Sequence, residues 1–350
     1  MNIQHPSFAK DFFKKYFNIL KVVILLVIAL SAGYFFGSYI QKNKYKDFVK
    51  SFRTLRENSD KFAFINPLIG GVSLPATEVG LFTKAKDEIE DYLQAEEKKG
   101  NLYDYSFYYR DLNTGLWFGA NDSAEFLPAS LFKLPIAIAA YKQAEDDPYF
   151  LDKRLQYTQE IADRNILIQL NAQSTLSVGS FYSVKELINV MLTASDNGAK
   201  DLLLNVMDMR YIEQLFSIVT SLSPTDAKAY QISSRKYAHF LRMLYGSSYL
   251  NEEHSEFILS LLAKSTFKDG LAAGVPENIL IAHKFGAYQV EEKINGREIM
   301  TQQLHDCGVV YHQDRPYVFC LMTKGKNLEI LYKVISKVSK IVYDEQEKDL

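Results

Sequence analysis

The chain has 350 residues, of which 47% are hydrophobic and 23% charged, and its 40 basic and 42 acidic side chains nearly cancel. This length allows one large domain or two modest ones. The near-neutral charge does not predict a nucleic-acid partner, which would favour a basic stripe. The sequence has no glycine pattern for phosphate or dinucleotide binding and no histidine spacing typical of metal ligands, so we predict no metal and no other cofactor.

The first element in chain order is an uncharged run of nineteen residues over 22–40, which reads VVILLVIALSAGYFFGSYI. A helix of this length measures about 28 Å, close to the hydrocarbon core of a bilayer. Two interpretations are open: a signal peptide cleaved near Ala29-Leu30-Ser31, or an uncleaved anchor. The run is longer than the apolar region of a signal peptide, which favours a transmembrane anchor over 22–40. Lysines flank both ends, so charge alone does not set its orientation.

A spacer is predicted over 41–76, because the segment is charged at first and then contains proline and glycine. A helix should begin near Glu78, and the stretch 129–271 has a mostly helical pattern. Strand patterns occupy 105–110, 116–120, 279–282, 286–290, 308–311 and 317–322. The chain closes with a helix that carries one apolar stripe.

This order of elements predicts an α+β fold with two lobes. An antiparallel sheet built from both ends of the chain can be covered by the two terminal helices, and the helical middle forms the second lobe. A ligand site is expected in the cleft between the lobes.

Cys307 and Cys320 flank an apparent hairpin centred near 313–314. Symmetric pairing about that centre would put the two cysteines opposite each other, within reach of a disulfide. Two free buried thiols on adjacent strands fit the sequence equally well, since a register change of one residue separates the two outcomes.

The strongest local signal for chemistry is Pro128-Ala129-Ser130-Leu131-Phe132-Lys133, which opens an apolar helical run. The spacing puts Ser130 and Lys133 on one helix face. A serine is a weak nucleophile unless a base lies beside it, and a lysine is such a base when burial lowers its pKa. Alone the pattern is weak evidence, because a helix-capping serine with a solvated lysine looks the same.

Two further motifs follow in order. Ser195-Asp196-Asn197 stands at the start of a helical run, and Lys284-Phe285-Gly286 lies in the strand-like segment ILIAHKFGAY. The order S-x-x-K, S-D-N and K-x-G resembles the signature set of the class A β-lactamases and penicillin-binding proteins. The resemblance covers about residues 78–345 and implies a catalytic domain over 77–345, with a five-stranded antiparallel sheet and a tail over 346–350.

The resemblance implies a role for each matching residue. Ser130 would form an acyl-enzyme, Lys133 would take its proton, and Ser195 would pass a proton to the leaving nitrogen. Lys284 would supply positive potential for a substrate carboxylate and help lower the pKa of Lys133. Asn197 would bind the amide side chain of the substrate.

Three further assignments follow from the same resemblance. The backbone N–H groups of Ser130 and Ala287 would form an oxyanion hole beside Gly286. Asp196 is expected to hold its loop rather than to act on substrate.

The sequence departs from the family pattern at two points. Phe285 stands where the family usually has a hydroxyl residue that helps to hold the substrate carboxylate. The segment SLSPTDAKAYQISSRKYA, which corresponds to the Ω-loop, contains no glutamate. Its one acid, Asp226, is expected to be a turn residue, and Glu213 falls in a predicted helix.

We therefore predict a membrane-anchored serine hydrolase that forms an acyl-enzyme with β-lactam or peptide amide substrates and deacylates slowly. A D-Ala-D-Ala carboxypeptidase or transpeptidase, and a tethered binding or sensing module without turnover, remain alternatives. Such substrates lie outside the cytoplasm, so the domain should face outward, with residues 1–21 in the cytoplasm.

Overall fold

The structure of the chain is a computed structural model. It describes residues 17, 20–21, 23–37, 39–40, 55–56, 62–70, 82–166, 175–220, 231–294, 297–313 and 315–348. The chain divides into two compact units, residues 1–53 with residue 350, and residues 54–349.

In the first unit, residues 23–37 are helical. Residues 22 and 38 of the predicted anchor lie outside the described residues. Within the part of the chain that the structure describes, no helix combines the length and apolar character needed to cross a membrane.

The second unit alternates helices and strands. Its described helices are α1 (Thr83–Lys98), α2 (Lys133–Asp146), α3 (Gln159–Ile166), α4 (Val184–Thr193), α5 (Asn197–Leu204), α6 (Met209–Thr220), α7 (Ser234–Tyr245), α8 (Glu252–Leu262) and α9 (Leu328–Gln346). Its described strands are β1 (Leu55–Arg56), β2 (Leu68–Gly70), β3 (Leu102–Asp111), β4 (Trp117–Ala120), β5 (Glu125–Phe126), β6 (Arg154–Gln156), β7 (Phe181–Ser183), β8 (Ile232–Ser233), β9 (Ile281–Ile294), β10 (Arg297–Val310) and β11 (Tyr317–Gly325).

The main sheet has five strands in the order β4-β3-β11-β10-β9, and every neighbouring pair is antiparallel. Side chains alternate between its two faces. Phe107 and Tyr109 pack with Phe82 and Phe118 on the side of α1, whereas Tyr108 joins the core of the helical lobe. The terminal helices α1 and α9 contact each other and this sheet. The predicted two-lobed α+β fold and its five-stranded antiparallel sheet are confirmed.

The strand boundaries near the third motif were predicted wrongly. The sequence suggested separate strands at 279–282 and 286–290, but β9 is continuous from Ile281 to Ile294. The charge and the glycine of the K-x-G motif do not interrupt the ladder, because Lys284 pairs with Cys307 and Gly286 with His305. Strand β10 is likewise far longer than its predicted segment 308–311.

The two cysteines lie directly opposite each other on β10 and β11 and are joined in a disulfide. Of the two arrangements that the sequence left open, the paired one is therefore present. Cys307 also faces Lys284 across the β9–β10 ladder, so the bridge lies beside the third motif.

Candidate active site

Ser130 lies on the 3-10 turn Ala129–Phe132, which runs directly into α2. The motif therefore opens the apolar helix as predicted, with a 3-10 turn first and the α-helix from Lys133 onward. Ala129 has a φ of 48°, a left-handed conformation that is rare for a residue with a side chain. The Tyr237 hydroxyl donates to the carbonyl oxygen of Leu131 at 3.0 Å and fixes the turn from below.

Ser195 connects two lysines. Lys133 Nζ donates to Ser195 Oγ at 3.1 Å and also to the Ser195 carbonyl oxygen. Lys284 Nζ donates to the same Oγ at 2.9 Å and to the Phe285 carbonyl oxygen at 3.2 Å. Ser195 has a φ of 57°, so its backbone, like that of Ala129, is held in the left-handed region. These contacts form a continuous polar chain from Lys133 to Lys284.

Both lysines are buried, with 1% of each residue exposed. Burial, followed by the charges of Lys284 and Lys200, holds the pKa of Lys133 well below its ordinary value. Burial lowers the pKa of Lys284 to about 7, while the Asp306 carboxylate acts in the opposite direction. A lowered pKa favours the neutral amine, and a neutral Lys133 can accept a proton from a neighbouring hydroxyl.

Gly286 brings β9 against the turn that carries Ser130. A methyl group added at Gly286 would lie 2.9 Å from Ser130 N, 3.0 Å from Leu131 N and 3.0 Å from the Pro128 carbonyl oxygen. No side chain fits in that space, so only glycine allows this approach. Because β9 is the edge strand of the sheet, its outward N–H groups are available to a ligand.

Asp196 positions the second motif. Its Oδ1 accepts from Ala199 N at 2.9 Å and caps α5, and its Oδ2 accepts from Thr175 N at 2.9 Å. The capped helix begins at Asn197, which faces the same cleft as Ser195. The structural role expected for Asp196 agrees with these bonds.

A cleft of about 560 Å³ joins these elements between the two lobes. Ser130, Lys133, Ser195, Asn197 and Ala287 line it. Lys284 lies beneath it on the Ser195 hydroxyl, and Gly286 lies against the Ser130 turn. We call Ser130, Lys133, Ser195 and Lys284 the polar floor.

A second part of the cleft lining is aromatic, and the sequence did not predict the ring stacking that forms it. Phe285 stacks on Phe267 with ring centroids 4.0 Å apart and an interplanar angle of 18°. Tyr332 packs on Phe267 at 5.7 Å, and Asp269 also lines the cleft. We call Phe267, Phe285, Tyr332 and Asp269 the aromatic wall. The segment TFKDG that supplies Phe267 and Asp269 carries no motif, so only its position in the fold identifies it.

Two carboxylates, Glu213 and Asp226, lie in or near the segment that corresponds to the Ω-loop. Glu213 lies on α6 and its side chain is exposed. Asp226 lies outside the described residues.

The fold and the family match define the class of the protein, a serine acyl-transfer enzyme. A model of the β-lactamase enzyme family matches residues 84–346, and the chain belongs to this family of serine hydrolases. A comparison with curated proteins found no match.

Solved structures with the same fold share little sequence with the chain. PBP-A is 21% identical, with 79% of this chain and 99% of that chain covered at a TM-score of 0.63. A PBP-A mutant solved as an acyl-enzyme complex with penicillin G is 22% identical, with 79% and 100% covered at 0.62. A class A β-lactamase from Mycobacterium abscessus is 21% identical, with 74% and 100% covered at 0.61.

Proposed function

We propose that Ser130 is the nucleophile and forms an acyl-enzyme with β-lactam or peptide amide substrates. The observation that carries this proposal is the polar chain in which Lys133 and Lys284 both donate to Ser195 Oγ, below a cleft lined by Ser130. A neutral amine beside a serine hydroxyl supplies the base that the nucleophile needs.

The reaction follows from these positions. Ser130 Oγ bonds to the acyl carbon while its proton passes to Lys133. Ser195 Oγ then delivers a proton to the leaving nitrogen as the C–N bond breaks and takes the replacing proton from Lys133, so that Lys133 is neutral again. Lys284 supports this transfer by donating to Ser195 Oγ. The N–H groups of Ser130 and Ala287 stabilise the oxyanion, and Asn197 binds the amide of the acyl group.

Deacylation is proposed to be slow. The segment that corresponds to the Ω-loop has no glutamate, and Glu213 is exposed on α6. Water must therefore be activated without the carboxylate that the resemblance would place there. Turnover of a chromogenic cephalosporin at hundreds per second, within the usual range of efficient enzymes, would contradict slow deacylation.

A D-Ala-D-Ala carboxypeptidase or transpeptidase is the second candidate, because the same polar floor serves either acceptor and the fold resembles PBP-A. A binding module without turnover fits less well. Burying two lysines is costly to stability, and a mere binding surface does not require a proton acceptor beside a serine.

Mass spectrometry of the full chain distinguishes these functions. The protein is incubated with a labelled penicillin and, separately, with a D-Ala-D-Ala peptide, and Ser130 is examined for covalent mass. We expect an adduct on Ser130 that persists for minutes, with Ser130→Ala as the control that gains none. If no adduct forms on Ser130 and no D-Ala is released, the binding module is favoured.

We also propose that residues 22–40 anchor the protein and that the catalytic domain faces outward. The uncharged run supports the anchor, and a disulfide on β10 and β11 supports an oxidising compartment. Protease added to intact cells should remove the domain and leave a membrane-bound fragment of the N-terminal segment. A domain that is protected until the cells are lysed would contradict this orientation.

A further inference from the structure

Three cations border the cleft, and each is already engaged or neutralised. Burial and neighbouring charges hold the pKa of Lys133 well below its ordinary value. Lys200 forms an ion pair with Asp201 at 3.0 Å. Lys284 is buried and has a pKa of about 7. No arginine is among the described residues that line the cleft. The positive potential available to a substrate carboxylate is therefore small.

The ammonium group of Lys284 is engaged by protein atoms. Two of its three donors are used by Ser195 Oγ and the Phe285 carbonyl oxygen. The Nζ atom also lies 4.6 Å from the centroid of the Phe285 ring, a distance at which a cation and an aromatic face attract each other. The ring thus lies close to the Lys284 ammonium group, to which the resemblance assigns the substrate carboxylate.

The aromatic wall also disfavours binding of a substrate carboxylate. The stacked rings of Phe285 and Phe267 offer apolar surface and no hydrogen-bond donor. Leu328 and Tyr332 continue this side of the cleft. A carboxylate that leaves water to lie on these two stacked rings loses hydration and gains no hydrogen bond from them.

Among the described residues that line the cleft, Asp269 is the one acid, and it strengthens the effect. Asp269 is exposed but lies near enough to Tyr332 to help burial raise the pKa of that phenol. Its negative charge repels a carboxylate that approaches the wall.

We infer that the leaving-group side of the cleft selects acyl donors that carry an uncharged apolar group, such as an alkyl or aryl amide or ester, in place of a carboxylate. This inference rests on the proposed function, in which Ser130 is acylated. The chemistry of the step is unchanged: the Ser130 Oγ–acyl bond forms, the acyl–leaving-group bond breaks, and one proton passes from Ser130 to the leaving group.

The test compares two donors that differ only in this charge, penicillin G and its methyl ester. Acylation of Ser130 in the full chain is followed by intact-protein mass spectrometry, and each rate constant is divided by that compound's own rate of hydrolysis in hydroxide. We expect the ester to acylate Ser130 about 10-fold faster than the acid. An acid that reacts as fast as the ester, or faster, would overturn the inference and leave the proposed function intact. No adduct from either compound would overturn both.

The variant Phe285→Thr tests whether the Phe285 ring causes the preference for the ester. The variant removes the ring and adds a hydroxyl donor, so the ester-to-acid ratio should fall to about 1. Phe181→Thr is the matched control, because Phe181 is 53% exposed and does not line the cleft; it should keep the wild-type ratio. An unchanged ratio in Phe285→Thr would show that the wall does not select the donor. The comparison of the two penicillins on the wild-type chain decides the inference even if this variant does not fold.

Discussion

The polar floor and the aromatic wall border the same cleft and meet at Lys284 and Phe285, yet they are built in different ways. In the floor, two buried lysines, Lys133 and Lys284, both donate hydrogen bonds to Ser195 Oγ. The wall is a stack of rings contributed by a loop, a strand and α9. All four floor residues belong to the three sequence motifs, whereas Phe285 is the one wall residue that does. Chemistry depends on positions that tolerate little change, whereas recognition depends on a surface that many residue types can form.

The two regions also differ in their effect on stability. Removing two ammonium groups from water opposes folding unless their interactions offset the cost. Burial of Phe267 against Phe285 favours folding through apolar area and ring stacking. Substitutions in the floor should therefore cost activity while sparing or raising stability, and substitutions in the wall should do the reverse.

The largest expected effect is at the base. Lys133→Met keeps the length of the side chain but cannot accept a proton, so acylation of Ser130 should fall by about 10³-fold. The melting temperature should stay level or rise, because a buried amine is replaced by an apolar group. Lys142→Met on the same helix is the control, since Lys142 bonds to Glu145 and lies away from the cleft. Acylation within a few-fold of wild type in Lys133→Met would identify another base.

The next effect tests the close approach of strand and turn. Gly286→Ala places a methyl group within 3.0 Å of three backbone atoms of the turn around Ser130. The turn or the strand must shift, and a shift of this size should lower the acylation rate by about 10²-fold. Circular dichroism of the variant would show whether the fold survives. A folded variant that reacts at the wild-type rate would mean that this contact is not needed for acylation.

The third effect concerns stability and pH. Lys284 has a pKa of about 7 in the folded protein and about 10.4 when exposed in the unfolded chain. Between these values the unfolded chain binds more protons, so the stability of the wild type rises with pH over this window. Lys284→Met does not have this free-energy cost of burying a lysine, so it should be more stable than the wild type. The difference in unfolding free energy should be greatest at pH 7 and shrink toward pH 10.

Thermal unfolding of the full chain at pH 7, 8.5 and 10 measures this difference. Lys340→Met is the matched control, because the Lys340 side chain is 60% exposed on α9. An advantage of Lys284→Met that grows with pH would contradict the assigned burial of the charge.

The smallest effect probes the wall. Asp269→Asn removes one exposed negative charge at the edge of the cleft without changing the stacked rings. The acylation rate with penicillin G should rise by about 2-fold, since an exposed charge is well screened. The rate with the methyl ester should stay constant, and the gain with the acid should disappear in high salt. An equal gain with both compounds would point to a change other than charge.

Much of the floor could be predicted from the sequence because its residues occur in short motifs. The order of Ser130, Ser195 and Lys284 along the chain was enough to predict that they share a cleft. The family assignment and the five-stranded sheet were predicted for the same reason.

Other features depend on contacts between distant segments and could not be predicted. The stacking of Phe267 on Phe285 needs the loop after α8 to meet β9. The pairing of the cysteines needed the register of β10 and β11, and two registers fitted the sequence. The single strand β9 was predicted as two shorter segments, 279–282 and 286–290, because its full length depends on its pairing with β10.

The contact at Gly286 connects the Ser130 turn to the β9–β10 hairpin of the sheet. Strands β9 and β10 pair from Arg297 with Ile294 back to Val310 with Ile281, and the pairing of β10 with β11 begins only at Gln302. The far end of this hairpin is therefore a two-stranded arm that extends beyond the third strand. Strand β9 therefore joins this arm and the turn of Ser130 in one continuous element.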